Sequence, residues 1–106
     1  MDKNAVVEIV DRFRRGLEAR GIRPQKVILY GSHATGVGTA VSDIDVVVIS
    51  GDFSGKGYWE RVDLLSDVIY EIFAPLDVVA LTPDEWERGD SFVVDFARNG
   101  EVLYAA

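Results

Sequence analysis

Three aspartates and one glycine–serine pair stand where their chemistry could be used together. Gly31-Ser32 ends an apolar stretch, and after ten intervening residues Asp43 and Asp45 open the next one. Side chains two residues apart in a strand lie on the same face, about 6.6–6.8 Å apart along the chain, so Asp43 and Asp45 are expected to project together. Two like charges so placed are unfavourable unless a cation or a proton offsets them. The pattern therefore predicts a site for Mg²⁺, which takes one or two carboxylates together with water and phosphate oxygens.

A third carboxylate, Asp77, lies near the start of the apolar segment Leu76–Leu81. If the strands of Asp45 and Asp77 are neighbours, the three acids converge. Such a set is typical of two-metal phosphoryl transfer, in which carboxylates hold the ions and one of them activates the attacking hydroxyl. Gly31 and Ser32 would bind the phosphates, because a glycine lets backbone N–H groups approach closely and the serine hydroxyl adds a donor. A helix starting just after the pair would add its N-terminal N–H groups.

The apolar periodicity places these residues on helices and strands in the order α-β-β-α-β-α-α-β. The predicted helices cover residues 3–20, 59–73, 84–88 and 91–98, and the predicted strands cover residues 26–30, 43–49, 76–81 and 101–104. This order predicts a single α/β (α+β) domain, residues 1–106, with a small mixed β-sheet and helices packed mainly on one face.

A second glycine-rich segment, Gly51–Gly57, lies between a predicted strand and a predicted helix. It lacks the spacing of a phosphate-binding P-loop, which needs four residues between its glycines and a Ser or Thr after the lysine. Here three residues separate Gly51 from Gly55, and Gly57 follows Lys56. We therefore predict a surface loop.

Composition limits the classes of function. The 11 Lys and Arg against 18 Asp and Glu give a net charge of −7, which argues against non-specific binding to duplex nucleic acid. There is no cysteine, and His33 is the only histidine, so a metal must be held mainly by oxygen ligands, which favours Mg²⁺, Mn²⁺ or Ca²⁺. His33 either touches substrate or is a plain loop residue. No apolar run approaches the roughly 18 residues of a membrane span, and no secretory pattern opens the chain, so a cytoplasmic protein without membrane contact is expected.

The motifs Gly31-Ser32-His33-Ala34-Thr35-Gly36 and Ser42-Asp43-Ile44-Asp45-Val46-Val47-Val48 resemble those of the nucleotidyltransferase superfamily related to DNA polymerase β. That family carries Gly-Ser, a spacer of this length, Asp-x-Asp and a later strand aspartate. With Asp77 and the closing residues 100–104 included, the whole chain is similar to the single-domain minimal nucleotidyltransferases. The resemblance implies the nucleotidyltransferase fold and transfer of a nucleoside monophosphate, expected to be AMP from ATP, with release of pyrophosphate.

The resemblance also implies roles for individual residues. Gly31 and Ser32 would hold the triphosphate. Asp43, Asp45 and Asp77 would be the catalytic acids and the ligands of one or two Mg²⁺ ions, with Asp77 activating the acceptor. Many minimal members carry an arginine just after Gly-Ser, whereas residues 33–36 of this chain contain none.

Many minimal members are antitoxins that pair with a HEPN-domain toxin and add AMP to a tyrosine of that partner. The resemblance therefore implies a HEPN-domain partner and an antitoxin role. The alternative is a non-catalytic subunit that neutralises a helical partner by contact. Transfer to an RNA end or a small molecule has no support from an extra acceptor-binding domain in the sequence. A homo-oligomer is left open.

Overall fold

The computed structural model describes residues 2–38 and 43–106; Ser42 of the quoted motif lies outside them. The helices are α1 (Lys3–Glu18), α2 (Ser32–Thr35), α3 (Tyr58–Ile72), α4 (Pro83–Arg88) and α5 (Phe92–Ala97), and the strands are β1 (Lys26–Tyr30), β2 (Ile44–Ile49), β3 (Leu76–Leu81) and β4 (Glu101–Ala105). The predicted helices and strands are all present, with ends shifted by at most two residues. No helix in the described part of the chain combines the length and the hydropathy needed to cross a membrane.

The strands form one mixed sheet in the order β3-β2-β1-β4. β2 and β3 run parallel, whereas β1 is antiparallel to both β2 and β4. The parallel pair is joined through α3, as a parallel connection requires a crossover. The two central strands, β1 and β2, carry the apolar runs that the sequence predicted to be buried.

Helices cover both faces of the sheet, unequally. The long helices α1 and α3 pack on one face, where Phe13, Leu17 and Val68 meet the fully buried Val46. This arrangement agrees with the predicted packing mainly on one face. On the opposite face the short helices α4 and α5 form a smaller layer, in which Val94 and Ala97 of α5 pack over Ile28 and Val47, and Trp86 of α4 packs at its margin.

Local signals explain the ends of these helices. The side chain of Asp2 caps α1 by accepting the N–H of Ala5 at 2.8 Å. The same helix ends two residues earlier than predicted, because Gly21, at φ 85°, turns the chain and lets the Ile22 N–H bond back to the Leu17 carbonyl at 3.0 Å. Thr82 and Glu85 form a reciprocal capping box at the start of α4.

The prediction of a plain surface loop over Gly51–Gly57 is wrong for its first half. Gly51–Phe53 forms a 3₁₀ turn, and Phe53 is fully buried in the main core. The Ser50 hydroxyl accepts the Asp52 N–H at 3.1 Å, and the Asp52 carboxylate accepts the Arg23 N–H at 2.8 Å. Burial of one aromatic ring therefore orders a segment whose composition resembles a flexible loop.

Candidate active site

The candidate site is a row of three side chains across one end of the sheet. In the parallel pair, Asp45 of β2 lies directly opposite Asp77 of β3, and in the antiparallel pair Tyr30 of β1 lies directly opposite Asp45. Opposed residues on adjacent strands share a face, and the strands are about 4.8 Å apart. Tyr30 and Asp45 are partly buried, whereas Asp77 is exposed. The condition set by the sequence is therefore met, because the strands of Asp45 and Asp77 are neighbours.

Asp43 lies two residues before Asp45, just outside the start of β2. β2 begins at Ile44, one residue later than predicted, and Asp43 is exposed at its entrance. Burial raises the pKa of the Asp45 carboxyl above its ordinary value of 3.8, and the negative charges of Asp77 and Asp43 raise it further, while His33 opposes the rise. Within residues 2–38 and 43–106, no lysine or arginine forms an ion pair with these three carboxylates. Their mutual repulsion is thus left for a proton or a cation to offset.

Tyr30 belongs to the same row and was not singled out from the sequence. Burial raises its pKa to about 12, and the charges of Asp45 and Asp77 contribute to the rise. The phenol therefore stays protonated and can donate a hydrogen bond at neutral pH. The signal available in the sequence was its position directly before Gly31, but only the register of β1 against β2 places it opposite Asp45.

Gly31 forms the turn that brings the Gly-Ser pair against the acids. Its φ of 75° and ψ of −155° belong to a region that is essentially restricted to glycine. A Cβ at this position would collide with the Asp45 carboxylate oxygen Oδ2. Ser32 follows as the first residue of α2, and its hydroxyl has no hydrogen-bond partner in the described part of the chain. The turn thus places Ser32 directly after the residue that lies against the Asp45 carboxylate.

The donor set suits a metal ion that arrives with its own ligands. Among the described residues, no group of three His, Asp or Glu side chains is arranged to enclose a metal ion. Mg²⁺ does not require such a cage, since it is commonly bound through one or two carboxylates with substrate phosphates and water completing six ligands. The expected convergence of all three acids on one metal position is therefore not found among the described residues. The opposed pair Asp45 and Asp77 still supplies the one or two carboxylates that a Mg²⁺ ion arriving with a nucleotide triphosphate would need.

His33 is buried in α2, where it is only 6% exposed. The backbone at Gly38 passes so close to its ring that a Cβ there would lie 2.5 Å from Nδ1. His33 also borders a cavity of about 400 Å³ between α2 and the start of α1. The residue is therefore a packed part of the short helix that follows Gly31, rather than a plain loop histidine.

A cleft of about 510 Å³ begins at Asp77 and follows the outer edge of β3 between α3 and α4. Arg61 crosses this cleft: it pairs with Glu85 at 2.6 Å and donates to the Ala80 carbonyl at 3.2 Å. Lys56, from the glycine-rich segment Gly51–Gly57, lines the same cleft. The carboxylate row therefore opens onto a groove that sequence analysis did not anticipate.

Comparison with solved structures shows the same fold in other proteins. A protein from Sulfolobus solfataricus assigned as a nucleotidyltransferase is 16% identical, with a TM-score of 0.71 over 95% of this chain and 81% of that one. A chain of a toxin–antitoxin complex with AMP-PNP is 20% identical, with a TM-score of 0.64 over 91% and 73%. A chain of the Shewanella oneidensis complex of tri-AMPylated HEPN toxin with MNT antitoxin is 19% identical, with a TM-score of 0.55 over 100% and 74%.

No significant match was found among curated proteins. The family model of the nucleotidyltransferase domain matches residues 10–99, which include both motifs, the carboxylate row and all five helices in whole or in part. The chain therefore belongs to the nucleotidyltransferase domain family.

Proposed function

We propose that this protein is a Mg²⁺-dependent nucleotidyltransferase that transfers AMP from ATP to a hydroxyl of a protein acceptor. The observation that carries the proposal is the contact between the Gly31 turn and the Asp45 carboxylate, with Asp77 in register beside it. The turn proposed to bind the phosphates therefore lies against one of the carboxylates proposed to hold the metal ion. The acceptor we propose is a tyrosine of a HEPN-domain toxin, which makes this chain the antitoxin.

Each of these residues has a role in the proposed reaction. Gly31 and Ser32 bind the triphosphate through backbone and hydroxyl donors, and Asp43, Asp45 and Asp77 would hold Mg²⁺. The bound ion would supply positive charge against the phosphates and the carboxylates. Asp77 is exposed at the mouth of the cleft, so it is the carboxylate that an incoming hydroxyl group would contact first. It takes the proton as the hydroxyl oxygen attacks the α-phosphorus and pyrophosphate leaves.

Two of the structural neighbours support the choice of nucleotide and acceptor. One belongs to a toxin–antitoxin complex with AMP-PNP, and another to a complex that contains a tri-AMPylated HEPN toxin. Both share the fold of this chain at 19–20% identity, so ATP and a HEPN tyrosine are taken from them as proposals about this chain.

The test is incubation of the protein with labelled NTPs, Mg²⁺ and the product of the neighbouring gene, which the proposal expects to be a HEPN-domain protein. Mass spectrometry should find AMP on a tyrosine of the partner, and the Asp77→Asn variant should transfer none. Asp67→Asn is the matched control, because it removes the same charge from an exposed position on α3. Binding of the partner with no nucleotide consumed would instead identify a subunit that neutralises by contact.

A further inference from the structure

The outer edge of β3 carries a short, unpaired stretch of backbone. The Ile44 N–H donates to the Pro75 carbonyl at 2.8 Å, and the Ser50 N–H donates to the Leu81 carbonyl at 2.9 Å. Because backbone groups alternate in direction along a strand, the odd-numbered residues of β3 face β2 and the even-numbered ones face outward. The Arg61 bond to the Ala80 carbonyl confirms the outward direction at that residue.

Most of the outward groups have no partner in the described part of the chain. Arg61 occupies the Ala80 carbonyl, and the Leu76 N–H bonds to the Ala74 carbonyl at 2.9 Å. The Leu76 carbonyl, both backbone groups of Val78 and the Ala80 N–H are left over. These four groups are the set that one added antiparallel strand would satisfy, with one of its residues paired to Val78.

The surroundings of this edge suit an extended chain. The edge lies on the floor of the cleft of about 510 Å³, whose walls come from Tyr58 and Val62 of α3 and Glu85 of α4. Asp77, at one end of the cleft, also belongs to the carboxylate row. The Arg61–Glu85 ion pair stands near Ala80, so the stretch available for pairing runs from Ala80 to Leu76.

We propose that the acceptor protein docks as an extended strand antiparallel to the outer edge of β3, with its hydroxyl residue opposite Asp77. This inference rests on the proposed function and specifies how the acceptor enters. The backbone groups of Asp77 face β2, so its cross-strand partner forms a non-hydrogen-bonded pair, the type in which side chains approach most closely. That partner shares a face with the carboxylate row. A tyrosine there is long enough to span the distance of about 4.8 Å between the docked strand and β3. Its hydroxyl would then lie on the side of Asp77 that faces Asp45.

A second copy of this chain suits the edge less well. Antiparallel pairing of two β3 strands about Val78 would place Asp77 of each copy against Val79 of the other. It would also bring together two chains that each carry a net charge of −7. An acceptor segment with basic flanks can place a hydroxyl residue opposite Asp77, and its positive charge is attracted to this acidic chain.

The probe is an acetylated and amidated pentapeptide, Lys-Val-Val-Tyr-Lys, whose third residue pairs with Val78 and whose tyrosine lies opposite Asp77. N-methylation of the third residue removes an edge hydrogen bond, and N-methylation of the second residue is the matched control because that amide points away from β3. With wild-type protein, ATP and Mg²⁺, methylation at the third residue should lower kcat/KM for AMP transfer at least about tenfold. Methylation at the second residue should change it less than about twofold.

Binding is measured separately with the peptide in which phenylalanine replaces tyrosine. In nitrogen-15 NMR spectra, the Val78 and Ala80 amides should shift on titration, and the third-residue methyl should abolish the shift. If the edge amides shift but no peptide or partner receives AMP, the docking mode stands and the proposed function fails. Equal loss from the two methyl groups, edge amides that do not respond to the peptide, or edge amides that shift only with protein concentration as copies self-associate would overturn the inference.

Discussion

Replacement of Asp45 by asparagine should stabilise the metal-free protein while it removes the activity. Asp45 is partly buried, faces Asp77 across the parallel pair and forms no ion pair with a lysine or arginine among the described residues. Asparagine keeps the shape of the side chain and removes its charge. The variant should therefore lose repulsion without leaving a cavity against Gly31, which touches this side chain.

The magnitude follows from the separation of the charges. Two carboxylates about 5–6 Å apart repel by roughly 1–3 kcal/mol at effective dielectric constants between 20 and 80. Asp77 is exposed, so solvent screening favours the lower end, about 1 kcal/mol. For a domain of this size, that change in the free energy of unfolding corresponds to a rise in Tm of about 4–8 °C.

The ligand should reverse the order of stability. At a hundredfold excess over its Kd, Mg²⁺-ATP should stabilise the wild type by about 2.7 kcal/mol through mass action. Asp45→Asn should gain little, because it lacks one of the carboxylates proposed to hold the ion. Without metal the variant should therefore melt above the wild type, and with Mg²⁺-ATP it should melt below it.

Thermal melts of both proteins in EDTA and in Mg²⁺-ATP, repeated from pH 3 to pH 8, make the comparison. The raised pKa of the Asp45 carboxyl in the folded state means that its protonated form stabilises the metal-free wild type. That stabilisation is complete below the unfolded value of 3.8 and is lost as pH rises through the folded pKa. The difference in Tm between Asp45→Asn and the wild type should therefore increase as pH rises over the same range. A variant that melts below the wild type in EDTA at pH 7 would refute the repulsion argument and make Asp45 a structural residue.

Three further substitutions test particular contacts. Ser32→Ala should weaken ATP binding roughly 10- to 150-fold, the equivalent of about 1.5–3 kcal/mol for a hydrogen bond to a charged group, with little change in Tm; calorimetric titration showing equal affinity would exclude the hydroxyl contact. Gly31→Ala should lower the free energy of unfolding by about 1–3 kcal/mol and abolish AMP transfer, because it combines a glycine-only conformation with a collision at Asp45; a fully active variant in urea-melt and transfer assays would contradict the turn geometry. Gly16→Ala should destabilise by about 1–3 kcal/mol despite better helix propensity, since its Cβ would lie 2.6 Å from Cγ1 of Val68; a double-mutant cycle with Val68→Ala should recover part of the loss, and additive effects would argue against this clash.

Much of the fold was predictable because it depends on short-range patterns. The spacing of Val6, Val10, Phe13 and Leu17 indicated α1, and the apolar run after Asp43 indicated β2. The Gly-Ser pair directly follows one apolar stretch and the Asp-x-Asp pair opens the next, so their positions at strand ends could be predicted from the sequence. Membership of the nucleotidyltransferase domain family agrees with the resemblance that these motifs carried.

The outcome at α1 illustrates where local patterns mislead. A glycine inside a helix, such as Gly16, is locally unfavourable. In the structure it allows close packing of α1 against α3, because a Cβ there would lie 2.6 Å from Cγ1 of Val68. Phe53 looked like part of a surface loop, but the core has room for its ring. In both cases the deciding partner lies far away along the chain, so no local pattern could reveal it.

The sequence by itself therefore indicated candidate residues for the chemistry and the approximate bounds of the helices and strands that carry or flank them. The tertiary structure decided that β2 and β3 are neighbours, that their register sets Asp45 against Asp77, that Tyr30 joins the row, and that β3 leaves an outer edge free beside it. Strand order and register depend on how both faces of the sheet are buried by helices distant in sequence. Side-chain alternation along one strand fixes only which face a residue occupies, and leaves open which residue it will meet across the sheet.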